Sequence, residues 1–133
     1  MRVLVVDDSK TMRTIIKGVL QTLNATAVEE AANGAEALTK LATFTPDIIL
    51  LDWNMPVMDG LTFVKTFRGS GKKTPIVMVT TEAEKSRVVD AIKAGVNNYA
   101  VKPFTPDGLS KIIEATLAKA TAAALSQPAA KAA

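Results

Sequence analysis

Two unbroken apolar tetrapeptides, Val3-Leu4-Val5-Val6 and Ile48-Ile49-Leu50-Leu51, each run directly into carboxylates: Asp7-Asp8 after the first and Asp52 after the second. A strand with one wet face would alternate apolar and polar residues. Runs without a polar position fit parallel strands buried on both faces, which helices must then cover. Acidic residues at the exits of such strands gather on one rim. In open parallel α/β sheets that rim, at the point where strand order reverses, is where ligands bind.

The rest of the chain keeps the same rhythm. Ser9 suits a helix N-cap, and Met12, Ile15, Ile16, Val19, Leu20 and Leu23 follow at helical spacing. Thr26 to Glu30 reads as a shorter, more polar strand, and Asn33 with Glu36 resembles a capping box opening a helix over Ala35 to Ala42. Pro46 separates that helix from the strand Ile48 to Asp52. Leu61, Val64 and Phe67 mark a third helix, Gly69-Ser70-Gly71 a turn, and Ile76 to Thr80 a fourth strand. A fourth helix is expected over roughly Glu84 to Ala94, with Gly95 as its C-cap. Asn98 to Val101 reads as a fifth strand, and Thr105-Pro106 starts a last helix with Leu109, Ile112, Ile113, Thr116 and Leu117 on its buried side. Strict β-α alternation of this kind implies a mostly parallel, doubly wound sheet with right-handed crossovers and helices on both faces.

At 133 residues the chain has room for about one domain. Residues 1–120 are expected to form it, leaving 121–133 as an alanine-rich tail that prolongs the last helix and then frays or is disordered. No apolar run nears the roughly 20 residues that span a bilayer, so the expectation is a soluble, cytoplasmic monomer without a membrane segment. Cysteine and histidine are both absent. Thiolate and imidazole ligands are thereby excluded, and a bound metal must be a hard, oxygen-preferring cation, with Mg²⁺ the natural choice. The formal charge is −1 over residues 1–70 and +4 over 71–133. That excess reads as solvated helix faces. With no helix-turn-helix following Lys119, no nucleic-acid partner is expected.

Taken singly, Asp7 or Asp8 could be a helix cap, Thr80 a strand-end hydroxyl, Lys102 a solvated cation and Tyr99 a half-buried strand aromatic. Their joint placement at strand ends is what specifies chemistry. Three crowded carboxylates call for a cation, with Asp8 and Asp52 suited to direct ligation and Asp7 to a contact through water. Thr80 supplies a hydroxyl donor and Lys102 an ammonium, together an anion clamp. With Asp52 as nucleophile the site could accept a phosphoryl group and form an acyl phosphate.

The segments VVDDS (Val5 to Ser9), DWNMPVMDG (Asp52 to Gly60), MVTTEA (Met78 to Ala83) and YAVKPFT (Tyr99 to Thr105) resemble response-regulator receiver domains, nearest to the single-domain chemotaxis type, over about residues 2–117. The resemblance implies the flavodoxin-like (βα)5 fold with strand order 2-1-3-4-5, itself a standing example of the switch-point rule. It implies that Asp52 is phosphorylated, that Asp7, Asp8, Asp52 and the backbone carbonyl of Asn54 hold Mg²⁺, and that Lys102, behind a cis bond to Pro103, contacts the phosphoryl group. Thr80 and Tyr99 are the implied switch pair. They would remodel the face made by the fourth helix, fifth strand and fifth helix. Asn54 and Glu82 are the implied tuning residues for hydrolysis on a scale of seconds to minutes. Thr81, where many receivers have alanine, adds bulk that would slow phosphotransfer.

Carried to partners, the resemblance implies a chemotaxis-type sensor histidine kinase as donor, a flagellar motor switch or another protein as target, and room for a dedicated phosphatase. The chain would catalyse only its own phosphotransfer and autodephosphorylation. Alternatives are a non-motor receiver, acting as phosphate sink or developmental relay, and an aspartyl-nucleophile phosphohydrolase. The last is disfavoured because haloacid-dehalogenase-like enzymes need an acid or base two residues beyond the nucleophile, where this chain has Asn54.

Overall fold

A computed structural model describes residues 1–126, with side-chain environments to Thr121. The strands are β1 (Arg2–Val6), β2 (Ala27–Ala31), β3 (Ile48–Asp52), β4 (Ile76–Thr81) and β5 (Asn98–Lys102). The helices are α1 (Lys10–Thr22), α2 (Gly34–Leu41), α3 (Gly60–Gly69), α4 (Val88–Ala94) and α5 (Pro106–Ser126). All five strands are parallel, in the order β2-β1-β3-β4-β5. The doubly wound α/β architecture expected from the strand runs is the one found, with the flavodoxin-like strand order that the resemblance implied.

Alternation along the central strands sorts their side chains into two cores. Leu4, Val6, Ile49, Leu51, Ile76 and Met78 face α2, α3 and α4 together with Phe63, Val64 and Phe67. Val3, Val5, Ile48, Leu50, Val77 and Val79 face α1 and α5 together with Ile16, Leu20, Leu109 and Ile113. The tetrapeptides of β1 and β3 are at most 1 % exposed, because helices lie against both their faces. Chain order reverses between β1 and β3, where β1 leads outward to β2 and the chain then crosses back. The switch point therefore lies at the ends of the two runs that carry the aspartates.

Capping fixes where the helices begin. Ser9 Oγ accepts from Met12 N–H at 3.2 Å, Asn33 Oδ1 from Glu36 N–H at 2.9 Å, and Thr105 Oγ1 from Gly108 N–H at 2.9 Å. Gly95 closes α4 with φ of 121°, a conformation that only glycine adopts without strain.

The fourth helix departs from expectation. Residues Glu82–Arg87 form a 3-10 segment, and α4 proper begins only at Val88. No side chain of the 3-10 segment is buried and none caps its start, so no apolar stripe pins those residues to α-helical register. Ile15 is the second departure, 48 % exposed although its spacing suggested the core. It stands about a quarter turn from the centre of the stripe formed by Ile16, Val19 and Leu20. Helix α5 continues through Ser126, so the first residues of the alanine-rich tail are helical; residues 127–133 lie outside those described. Among the described residues no helix is long and apolar enough to cross a membrane.

Candidate functional site

Register determines which strand ends meet. Val6 pairs with Leu51, so Asp7, one residue past β1, stands level with Asp52, the last residue of β3. Asp52 pairs with Val79, which puts Thr80 one step further along β4, and Thr81 pairs with Lys102 at the end of β5. Four neighbouring strands thus deliver Asp7, Asp8, Asp52, Thr80 and Lys102 to one rim.

Carboxylate oxygens of Asp7, Asp8 and Asp52 lie within 4.8 Å of one another. Asp7 is buried and fully engaged: Oδ1 accepts from Ser9 N–H at 2.8 Å and Oδ2 from Lys102 Nζ at 3.2 Å. Lys102 Nζ also lies 3.6 Å from Asp52 Oδ1, and the Lys102–Pro103 bond is cis. Asp8 is exposed at the mouth. Burial is the main cause raising the Asp52 carboxyl to a pKa of about 6, and the Asp7 and Asp8 charges push the same way against Lys102.

The loop after β3 wraps tightly around this rim. Trp53 is buried, and Gly60 N–H donates to its carbonyl at 2.9 Å. A Cβ on Gly60 would come within 2.6 Å of the Trp53 ring and 3.0 Å of the Asp52 carbonyl oxygen, so only glycine allows this approach. Met55 and Met78 pack in the core, and Met58 packs against it.

Thr80 is buried, and its hydroxyl makes a single contact, 3.5 Å to the Thr81 carbonyl. Tyr99 is half-buried against the core, pairing with Met78 two positions short of Thr80 on the strand. Thr81 is exposed. Asn54 and Glu82 are not brought together: Asn54 Nδ2 donates to Glu84 Oε1 at 3.2 Å, while Glu82, its side chain 76 % exposed, stands 3.9 Å from Lys85.

Two contributors escape the sequence reading. Glu84 is one. Arg13 is the other, its guanidinium donating to the Asp7 carbonyl at 2.6 Å and to Glu30 Oε1 at 3.0 Å. Lys17 also bonds Glu30 and is the chief reason that this carboxyl lies below its usual range. The network clamps α1 onto β2 and holds the turn that carries Asp7 and Asp8. Its only sequence signal is the position of Arg13 one turn after the Ser9 cap, since Glu30 comes from the neighbouring strand.

The response regulator receiver domain family matches residues 3–114. The chain belongs to that family. This receiver domain is 51 % identical over 120 residues to the chemotaxis protein CheY1 of Helicobacter pylori, covering 88 % of this chain and 97 % of the other. It is equally similar over 121 residues to a CheY homolog of Campylobacter jejuni, covering 88 % and 92 %. Among solved structures, the chemotaxis response regulator CheY4 of Vibrio cholerae superposes with a TM-score of 0.79 at 40 % identity, over 86 % of this chain and 97 % of that one. A response regulator of Chloroflexus aurantiacus gives 0.81 at 34 %, over 88 % and 97 %. This receiver is accordingly a two-component signalling protein of the CheY chemotaxis type rather than a conventional enzyme.

Proposed function

We propose that this receiver accepts a phosphoryl group from a chemotaxis-type histidine kinase on Asp52, with Mg²⁺ present, and then presents its α4-β5-α5 face to the flagellar motor switch. The observation that carries the reading is the convergence of three aspartate carboxylates within 4.8 Å beside the Lys102 ammonium. That donor set is all oxygen, and Asp52 rises to a pKa of about 6 without a cation, so the residues fit Mg²⁺. Asp7, Asp8, Asp52 and the Asn54 carbonyl would hold it. When bound, the ion supplies positive charge that offsets the crowded carboxylates and the phosphoryl oxygens.

The chain's own residues do the rest. Asp52, largely ionised at neutral pH, presents a carboxylate oxygen to the phosphorus of a phosphohistidine. A P–O bond forms, the P–N bond breaks, and the imidazole leaves with the electron pair. Lys102 neutralises a phosphoryl oxygen from its position 3.6 Å from Asp52. The Thr80 hydroxyl, lightly held in this conformation, turns to donate to another. Space vacated beside Thr80 lets Tyr99 move inward, which reshapes α4, β5 and α5. Residues 1–120 would suffice for this cycle, in the cytoplasm and as a monomer, with Asn54, Thr81 and Glu82 bordering the site of hydrolysis.

The test is capture on an immobilised flagellar switch protein with and without beryllofluoride, a mimic of the Asp52 phosphoryl group. Retention that depends on beryllofluoride supports the motor reading. Equal retention in both arms, or none in either, removes the motor switch as target and leaves a non-motor receiver.

A further inference from the structure

The Asn54–Glu84 bond spans the two loops that leave adjacent strands β3 and β4, beside Asp52 and Thr80. Both oxygens of Glu84 are engaged: Oε1 takes the Asn54 amide at 3.2 Å, and Oε2 lies 3.4 Å from Arg87 Nε one turn along the 3-10 segment. The Glu84 side chain is 24 % exposed against 76 % for Glu82, so the two acids have different environments despite their proximity in sequence.

A carboxylate only accepts hydrogen bonds. Its partner must therefore be the NH₂ end of the Asn54 amide, and the side-chain oxygen Asn54 Oδ1, which accepts no hydrogen bond among the described residues, is an acceptor two residues from Asp52. An acceptor so placed orients a water for attack on an acyl phosphate and speeds the step. The water oxygen bonds to phosphorus, the bond between phosphorus and the Asp52 oxygen breaks, its electron pair restores the carboxylate, and phosphate leaves carrying the water's protons shared with solvent. We infer that Glu84 is a positioning residue for this hydrolysis: it sets the orientation of the Asn54 amide and through it the lifetime of phosphorylated Asp52. This rests on the proposal that Asp52 is the phosphoryl acceptor.

Glutamine at position 84 would accept or donate equally well, so the Asn54 amide would no longer have one preferred orientation. In protein labelled with acetyl [³²P]phosphate and Mg²⁺ and then freed of donor, Glu84→Gln should lose label about three- to tenfold more slowly, a range set by one hydrogen bond. Glutamine keeps the size of glutamate and can still accept from Asn54 and Arg87, so the thermal midpoint should stay within about two degrees of the unaltered value. In an Asn54→Ala background the same substitution should leave the rate unchanged, a non-additivity that a general loosening of the loop would not produce. A Glu84→Gln lifetime within twofold of the unaltered protein, or an equal effect with and without the Asn54 side chain, would overturn the inference alone. Failure of the unaltered protein to take up label on Asp52 would instead remove the parent proposal and this one with it.

Discussion

Lys102 Nζ donates to Asp7 Oδ2 across 3.2 Å, joining residues 95 apart in the chain. The same ammonium is 3.6 Å from Asp52, so one cation serves two largely buried carboxylates while Asp8 adds a third charge at the mouth. Negative charge is in excess at the rim, and folding must bear it.

That imbalance sets a pH dependence. Asp52 has a folded pKa raised from 3.8 to about 6, so the folded state holds its proton more tightly than the unfolded chain. Below 3.8 the group costs nothing. Stability falls as pH rises from 3.8 through about 6 and stays lower above it. Asp52→Asn should abolish this decline and stabilise the metal-free protein at neutral pH by about 2 kcal/mol. Urea unfolding across the pH range, followed by the fluorescence of Trp53, reads both effects. Mg²⁺ should raise the midpoint of the unaltered protein more than that of Asp52→Asn. A flat profile for the unaltered protein would contradict the charge account.

Val57 has φ of 67° and is 85 % exposed, a β-branched residue in the left-handed region with no burial to offset the strain. Asparagine tolerates that region. Val57→Asn should therefore stabilise the fold by about 1 kcal/mol, raising the thermal midpoint by a few degrees. An unchanged or lower midpoint in calorimetry would mean that Val57 makes a compensating contact.

Gly60→Ala should act in the opposite direction. Its Cβ would meet Trp53 at 2.6 Å and the Asp52 carbonyl at 3.0 Å, so backbone next to the acceptor must shift. A loss of about 1–3 kcal/mol is expected, with a changed Trp53 emission and slower labelling of Asp52. Alanine tolerated with unaltered emission would show that the loop after β3 has more room than its packing indicates.

Much of this was legible in the sequence for a physical reason. Strands buried on both faces carry few polar residues, so VLVV and IILL announced β1 and β3, and the carboxylates closing them announced the rim. Boundaries were less legible. β2 is an edge strand with partial burial and runs Ala27–Ala31 rather than Thr26 to Glu30, since little apolar patterning marks its ends. The segment Glu82–Arg87 is polar apart from Ala83, so helical composition there did not reveal a 3-10 turn. Arg13 and Glu84 went unread because each acts on a partner brought near only by the assembled sheet, Arg13 on the Asp7 carbonyl and Glu84 on Asn54.

Whether Asp52 is the Mg²⁺-dependent phosphoryl acceptor is decided by peptide mapping after incubation with acetyl [³²P]phosphate. An acyl phosphate labile to alkali and hydroxylamine is expected on the peptide carrying Asp52, absent when Mg²⁺ is chelated and absent in Asp52→Asn. Label on a different residue, or incorporation by Asp52→Asn at the unaltered rate, would contradict it.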